Sequence, residues 1–229
     1  MGLIITKDRF QSFSASTILR FQFKPMPQPI LSKKIFILFV ITLILGMIWV
    51  KMLPQLDFIA WLQTAGSSNE VTILQFISDS ITFISLGVPL IIALFLELKD
   101  KDKKGRLLFL FAGLSIGIGG LVSYIVKKSM LVPRPYEIDA RIAQLSVGGG
   151  FSFPSGHTTE AFAAAMSLLL LFPTWRVALP AFTWAAMVAF SRIYLGVHYP
   201  FDIMGGIIIG TTASYSLHFL FRTKTELFS

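Results

Sequence analysis

The run IFILFVITLILGMIWVKML (residues 35–53) decides the fold class. It is nineteen residues long and carries a single charge, Lys51. A helix needs roughly 20 mostly apolar residues to cross a bilayer. Five further stretches qualify on the same reading, at about Val71–Leu98, Leu107–Val126, His157–Phe172, Val177–Leu195 and Phe201–Phe221. The composition agrees. The chain has 229 residues, 54% hydrophobic and 14% charged, with a mean hydropathy of +0.72. A soluble domain carries about a quarter charged residues. The expected fold is all-α, a polytopic bundle of six transmembrane helices.

The expected organisation is a cytoplasmic N-terminal arm over 1–33, a six-span membrane domain over 34–222 and a short cytoplasmic tail over 223–229. The arm is mixed polar and aromatic, with Pro25, Pro27 and Pro29 near its end, and has no cleavage pattern of a signal peptide. The second span is expected to start on Ser68 or Asn69 as a cap, with Glu70 in its first turn. Gly113, Gly117, Gly119 and Gly120, and separately Gly206 and Gly210, read as small-residue faces for helix packing.

The net charge of +8 does not point to nucleic acid, because the charges are placed as in a membrane protein. Lys99, Lys101, Lys103, Lys104 and Arg106 crowd one short loop, and six basic residues precede the first apolar run. Such clusters mark the cytoplasmic side. Both termini are therefore expected on the cytoplasmic side of the cell (inner) membrane. The opposite ends of the helices face outside, or the periplasm. The absence of cysteine excludes disulfides and thiolate chemistry.

Three stretches carry the chemistry. They are Lys127 followed six residues later by Arg134-Pro135; Pro154-Ser155-Gly156-His157; and Ser191-Arg192, then His198, then Asp202. On six spans all three fall at the outer face. Arg134 and Arg192 offer planar forks that suit phosphate oxygens, and Lys127 adds a compact cation. Ser155 and Gly156 open a helix whose N–H groups suit an anion. His198 and Asp202 are four apart, on one face of a helix start that Pro200 favours. The carboxylate there suits holding the imidazole in the tautomer that leaves its other nitrogen free. Few carboxylates are available as metal ligands, so no metal and no cofactor are expected. Glu160 sits where it tunes His157 or simply favours the first turn. Asp79 either pairs with a basic site residue or is wet. Gly148-Gly149-Gly150-Phe151 reads as a mobile lid or a plain loop.

The three stretches resemble the tripartite signature of the type 2 phosphatidic acid phosphatase superfamily, and all eleven specified positions match. The resemblance implies a nucleophile at His198 that forms a phosphohistidine. It implies a general acid and then base at His157, oriented partnership from Asp202, and phosphate binding by Lys127, Arg134, Ser155, Gly156 and Arg192. It further implies a metal-independent membrane lipid phosphatase acting on a lipid phosphate, with undecaprenyl diphosphate or phosphatidylglycerophosphate favoured. A lipid A 1-phosphatase or a lipid-to-lipid phosphotransferase is the alternative, and a non-enzymatic lipid-binding protein comes last. The partners expected are the membrane and its lipid, and the oligomeric state stays open.

Overall fold

The computed structural model describes residues 32–100 and 104–227. The expected arm therefore lies outside the described residues, except for Ser32 and Lys33, as do residues 101–103 and 228–229. Regular structure among the described residues is entirely helical. It comprises α1 (Lys33–Lys51), α2 (Gln55–Ala65), α3 (Ser68–Asp79), α4 (Ile81–Asp100), α5 (Lys104–Met130), α6 (Pro135–Ile138), α7 (Gly156–Leu171), α8 (Trp175–Tyr194) and α9 (Pro200–Leu227).

Among the described residues six spans are not found, and four helices are long and apolar enough to cross a membrane: α1, α5 with its continuation to Ile138, α8, and α9 as far as Phe221. A fifth crossing arises only if α3 and α4 count as one bent span. The expected span at His157–Phe172 fails on length. Its helix, α7, has 16 residues, roughly 24 Å at 1.5 Å per residue, against a hydrocarbon core of about 30 Å. Its composition misled because alanine-rich helices also suit the middle of a bundle. Ala161, Ala163, Ala164 and Ala165 are all buried. The expected span at Val71–Leu98 breaks at Ser80, with a bend of 47°. There Ser80 donates to the Ile77 carbonyl and accepts from the Trp184 indole at 3.1 Å. With four or five crossings, counting spans no longer places both termini on one side.

The helix ends follow from local chemistry. Ser32 caps α1 by accepting from Ile35 N. The cap of α3 is Ser67, one residue before the expected position, and Glu70 reaches back to its N–H at 3.0 Å. Ser155 caps α7, and Pro200 opens α9.

α7 is the central helix, packed on α9, α8 and α5. One apolar cluster joins Phe162 and Ala165 to Val188, Ala185, Ile203 and Ile81. A second joins Met166 and Leu170 to Phe111, Tyr215 and Phe36. α1 packs on α9 through Phe36 and Tyr215, whose rings stack at 3.7 Å. Its outer side shows Leu38, Leu45 and Trp49, each more than 60% exposed, as a lipid-facing helix does.

The α7–α9 contact brings the backbones together. A Cβ on Gly210 would stand 2.3 Å from the Thr159 carbonyl oxygen, and one on Gly206 would stand 2.8 Å from that of Ser155. The small-residue face expected on α9 is thus used. On α5 only Gly119 is, against Thr159; Gly113, Gly117 and Gly120 meet nothing within 4 Å. Gly210→Ala is expected to destabilise the detergent-solubilised protein by about 1–3 kcal/mol, as overpacking does. Gly113→Ala should leave its thermal midpoint unchanged or raised. Thermal unfolding of both variants checks this, and equal midpoints would refute the close contact.

Candidate active site

Four connections and helix ends meet at one end of the bundle: the last turn of α5, the start of α6, the start of α7 and the turn joining α8 to α9. All eight residues singled out in the sequence lie there. The joints are backbone hydrogen bonds between and within the motif stretches. Ser155 N donates to the Asp202 carbonyl at 3.1 Å, and His198 N donates to that of Arg192 at 3.2 Å. The α8–α9 turn uses Gly196 at φ +75, where a Cβ would fall 2.4 Å from the Ala143 carbonyl oxygen.

His198 is 2% exposed and Asp202 is fully buried. Nδ1 of His198 lies 3.3 Å from Asp202 Oδ2. The same oxygen accepts from Tyr199 N at 2.9 Å and from the Ser152 hydroxyl. With Nδ1 committed to the carboxylate, Nε2 is the ring nitrogen that the pairing leaves uncommitted. Burial, with Arg134 and Arg192 acting in the same direction, outweighs the pull of Asp202 and lowers the His198 pKa from 6.5 to about 4. The imidazole is then neutral at neutral pH, the form a nucleophile requires.

The cations are fastened to the protein. Arg134, 3% exposed, donates from Nε to Gly150 O at 2.9 Å. It donates from Nη1 to Val197 O at 2.8 Å and from Nη2 to Gly149 O at 2.9 Å. Lys127 Nζ donates to Phe151 O at 2.7 Å and to Ser152 O at 3.3 Å. The 149–151 segment is therefore tied to the site by its carbonyls. A Cβ on Gly148 would meet the Arg134 side chain at 3.0 Å, so the loop lies flat against the guanidinium. Arg192, 2% exposed, donates to the hydroxyls of Ser78 on α3 and Ser146, while its Nε is buried with no hydrogen-bond partner.

His157, half-buried in the first turn of α7, is within electrostatic reach of Arg192, His198, Arg134 and Lys127. Ser155 Oγ accepts from Thr158 Oγ1 at 2.9 Å and from Thr158 N at 3.4 Å. Gly156 is exposed, and a side chain there would meet nothing within 4 Å, so the approach to the α7 N-terminus is open. Glu160 accepts a hydrogen bond from Ser85 on α4 at 2.5 Å. Asp79 is exposed at the end of α3, beside the bend.

Sequence reasoning missed three groups. Ser152 holds Asp202, and Ser78 with Ser146 holds Arg192. It also missed how α2 and α3 brace the site. Gln63 accepts from Ala143 N at 2.8 Å and donates to the carbonyls of Ala143 and Tyr194, both at 3.0 Å. Gln75 donates to Leu145 O at 2.7 Å. Polar residues within apolar helices were the available signal, since such positions are costly unless paired.

The expected titration of His198 is a midpoint near pH 4, against 6.5 for a free imidazole. Asp202→Asn should lower it further, because the carboxylate is what raises it. Nitrogen-edited NMR of histidine-labelled protein reads this directly, and a midpoint at or above 6.5 would refute it.

The chain is similar to several known proteins. The chain is 31% identical over 145 residues to undecaprenyl-diphosphatase BcrC of Bacillus subtilis, covering 63% of this chain and 73% of that protein. It is 38% identical over 78 residues to a lipid A 4'-phosphatase of Bacteroides thetaiotaomicron, covering 34% and 35% respectively. It is 31% identical over 119 residues to a lipid A 1-phosphatase of Rhizobium johnstonii, covering 50% and 48%. The fold is similar to that of a transmembrane PAP2-type phosphatidylglycerolphosphate phosphatase from Bacillus subtilis. That structure aligns with a TM-score of 0.59 at 23% identity, over 83% of this chain and 97% of the other. The PAP2 superfamily profile matches residues 108–226, a segment that holds all eight residues singled out in the sequence, and the chain belongs to the PAP2 superfamily.

Proposed function

We propose that this multi-pass membrane protein is a lipid phosphatase working through a phosphohistidine on His198. One observation carries the proposal. A buried imidazole, paired through Nδ1 with a buried carboxylate, sits among Lys127, Arg134 and Arg192. Phosphoryl transfer needs little more than a positioned nucleophile and fixed positive charge. In this mechanism Nε2 of His198 attacks phosphorus, and the bond from phosphorus to the leaving oxygen breaks. Burial and the nearby cations lower the His157 pKa to about 3 before substrate binds. The anionic phosphate offsets those cations, so His157 takes up a proton as it binds. It gives that proton to the leaving oxygen, then takes one from the water that cleaves the phosphohistidine and releases phosphate. The three cations stabilise the transferring group. One carboxylate and two imidazoles among three cations make a poor cradle for a metal ion, which supports metal-independent chemistry.

The site is inferred to face outward, on an argument independent of the span count. α5 runs from Lys104, in the basic 99–106 segment, to the site at Lys127. That is roughly 35 Å of helix. A lysine-rich loop favours the cytoplasm, which leaves the site end on the other side of what would be the inner membrane.

Two lipid classes follow from the relatives. A lipid A phosphatase is better supported than the undecaprenyl diphosphate or phosphatidylglycerophosphate enzyme that the sequence favours, on the 38% identity to a lipid A 4'-phosphatase and the likeness to a lipid A 1-phosphatase. The undecaprenyl diphosphate reading is kept because its relative is matched over 145 residues, 63% of this chain. A phosphotransferase shares the first half of the mechanism and differs only in the acceptor.

The purified protein, with chelator present, is expected to release phosphate from at least one of lipid A, undecaprenyl diphosphate, phosphatidylglycerophosphate and phosphatidic acid. Adding an acceptor lipid separates transfer from hydrolysis. His198→Ala should reduce release to background. Asp202→Asn should reduce kcat by about 10²–10⁴, the scale seen when an orienting carboxylate is lost. Full release by His198→Ala, or loss of release on chelation, would overturn the mechanism.

A further inference from the structure

The hydroxyl of Ser152 has no part in the steps above, and Ser152 is outside the eleven signature positions. It is fully buried. Its Oγ donates to Asp202 Oδ2 and lies 3.5 Å from both His198 Nδ1 and Val197 O. Its N–H donates to Val132 O at 2.7 Å, and its carbonyl accepts from Lys127 Nζ at 3.3 Å. One residue thus touches the α5–α6 connection, the Lys127 cation and the His198–Asp202 pair.

We propose that Ser152 is a positioning residue: its hydroxyl fixes the Asp202 carboxylate and, through it, the His198 ring that attacks phosphorus. The proposal rests on the lipid phosphatase reading.

The hydrogen-bond inventory of Asp202 carries the argument. Oδ2 accepts from Ser152, Tyr199 N and His198, while Oδ1 is buried with no hydrogen-bond partner. A carboxylate bonded on one oxygen can turn about its Cβ–Cγ bond. Tyr199 N and Ser152 Oγ are the two donors, besides His198 itself, that oppose this. Ser152 has one other acceptor within reach, Val197 O, and that contact is longer. A buried hydroxyl left unpaired is costly, so the short bond to the carboxylate is the favoured one.

The bond also has an electrostatic consequence. A hydroxyl donating to Oδ2 shares the charge that the His198 Nδ1–H would otherwise face alone. Without it, Asp202 pulls harder on the imidazolium form and the proton affinity of His198 rises. The other charged groups near the pair are Arg192 on α8, Arg134 at the start of α6, His157 on α7 and Lys127 on α5. None of these is altered by substitution at position 152. A serine that only filled space would leave the proton affinity where it was.

Ser152→Ala in the full-length detergent-solubilised protein, with Asp202 still held by Tyr199 N, is expected to raise the NMR titration midpoint of His198. This readout needs no substrate, so it tests Ser152 even if every lipid in the panel is refused. On whichever panel lipid the wild type hydrolyses, kcat should fall at least about tenfold, the scale for a hydrogen bond to a charged group, with KM changed less than twofold. Ser152→Thr keeps the hydroxyl and should restore the midpoint. In an Asp202→Asn background, Ser152→Ala should cost less than twofold more, because both act through one carboxylate. An unmoved His198 midpoint in a folded Ser152→Ala protein would overturn the proposal, as would a kcat loss fully additive with Asp202→Asn. Failure of the whole lipid panel with a shifted midpoint would instead count against the phosphatase reading.

Discussion

The structure depends on one buried carboxylate. Asp202 is 0% exposed in the first turn of α9. Burying such a group is expensive unless donors replace water around it. Those donors come from the connection before α7, from the α8–α9 turn and from His198 itself. The Asp202 backbone adds a fourth tie, accepting from Ser155 N at the cap of α7. Satisfying this residue therefore brings the second and third stretches together, and with them the two imidazoles.

That meeting is possible because α7 and α9 can approach closely. Gly206 and Gly210 let the α9 backbone lie against the carbonyls of Ser155 and Thr159. Ser214 then donates to the Ala163 carbonyl at 2.9 Å, a polar link deep between the two helices. In a bilayer, packing of small residues and hydrogen bonds between helices supply what hydrophobic burial supplies in water. The same short, small-residue helix that makes the close contact is too short to read as a span. Structural centrality and apparent transmembrane character parted company at α7.

The arginines show how site and scaffold are shared. Arg134 and Arg192 are almost fully buried, and the oxygens they touch belong to loop carbonyls and serine hydroxyls. Each guanidinium fixes positive charge and also gives shape to the loop around it. Their position is in turn secured by α2 and α3, where Gln63, Gln75 and Ser78 hold the 143–147 segment and Arg192. These braces come from helices before residue 108, where the superfamily profile match begins.

The sequence by itself determined the class of the fold, through long apolar runs, and the candidate site residues, through spacing that needs no structure to recognise. His198, in the turn before α9, and Asp202, in its first turn, are four apart, and Ser155 caps the earlier helix α7. Tertiary structure decided the rest. Hydropathy cannot separate a helix that faces lipid from one that faces other helices, since both are apolar; hence α7 and the bend at Ser80 were misread as spans. Nor can it see partners distant in the chain. Ser152 and Ser78 look like ordinary small polar residues until folding sets a carboxylate and a guanidinium beside them. Only then does burial turn a common hydroxyl into a required donor.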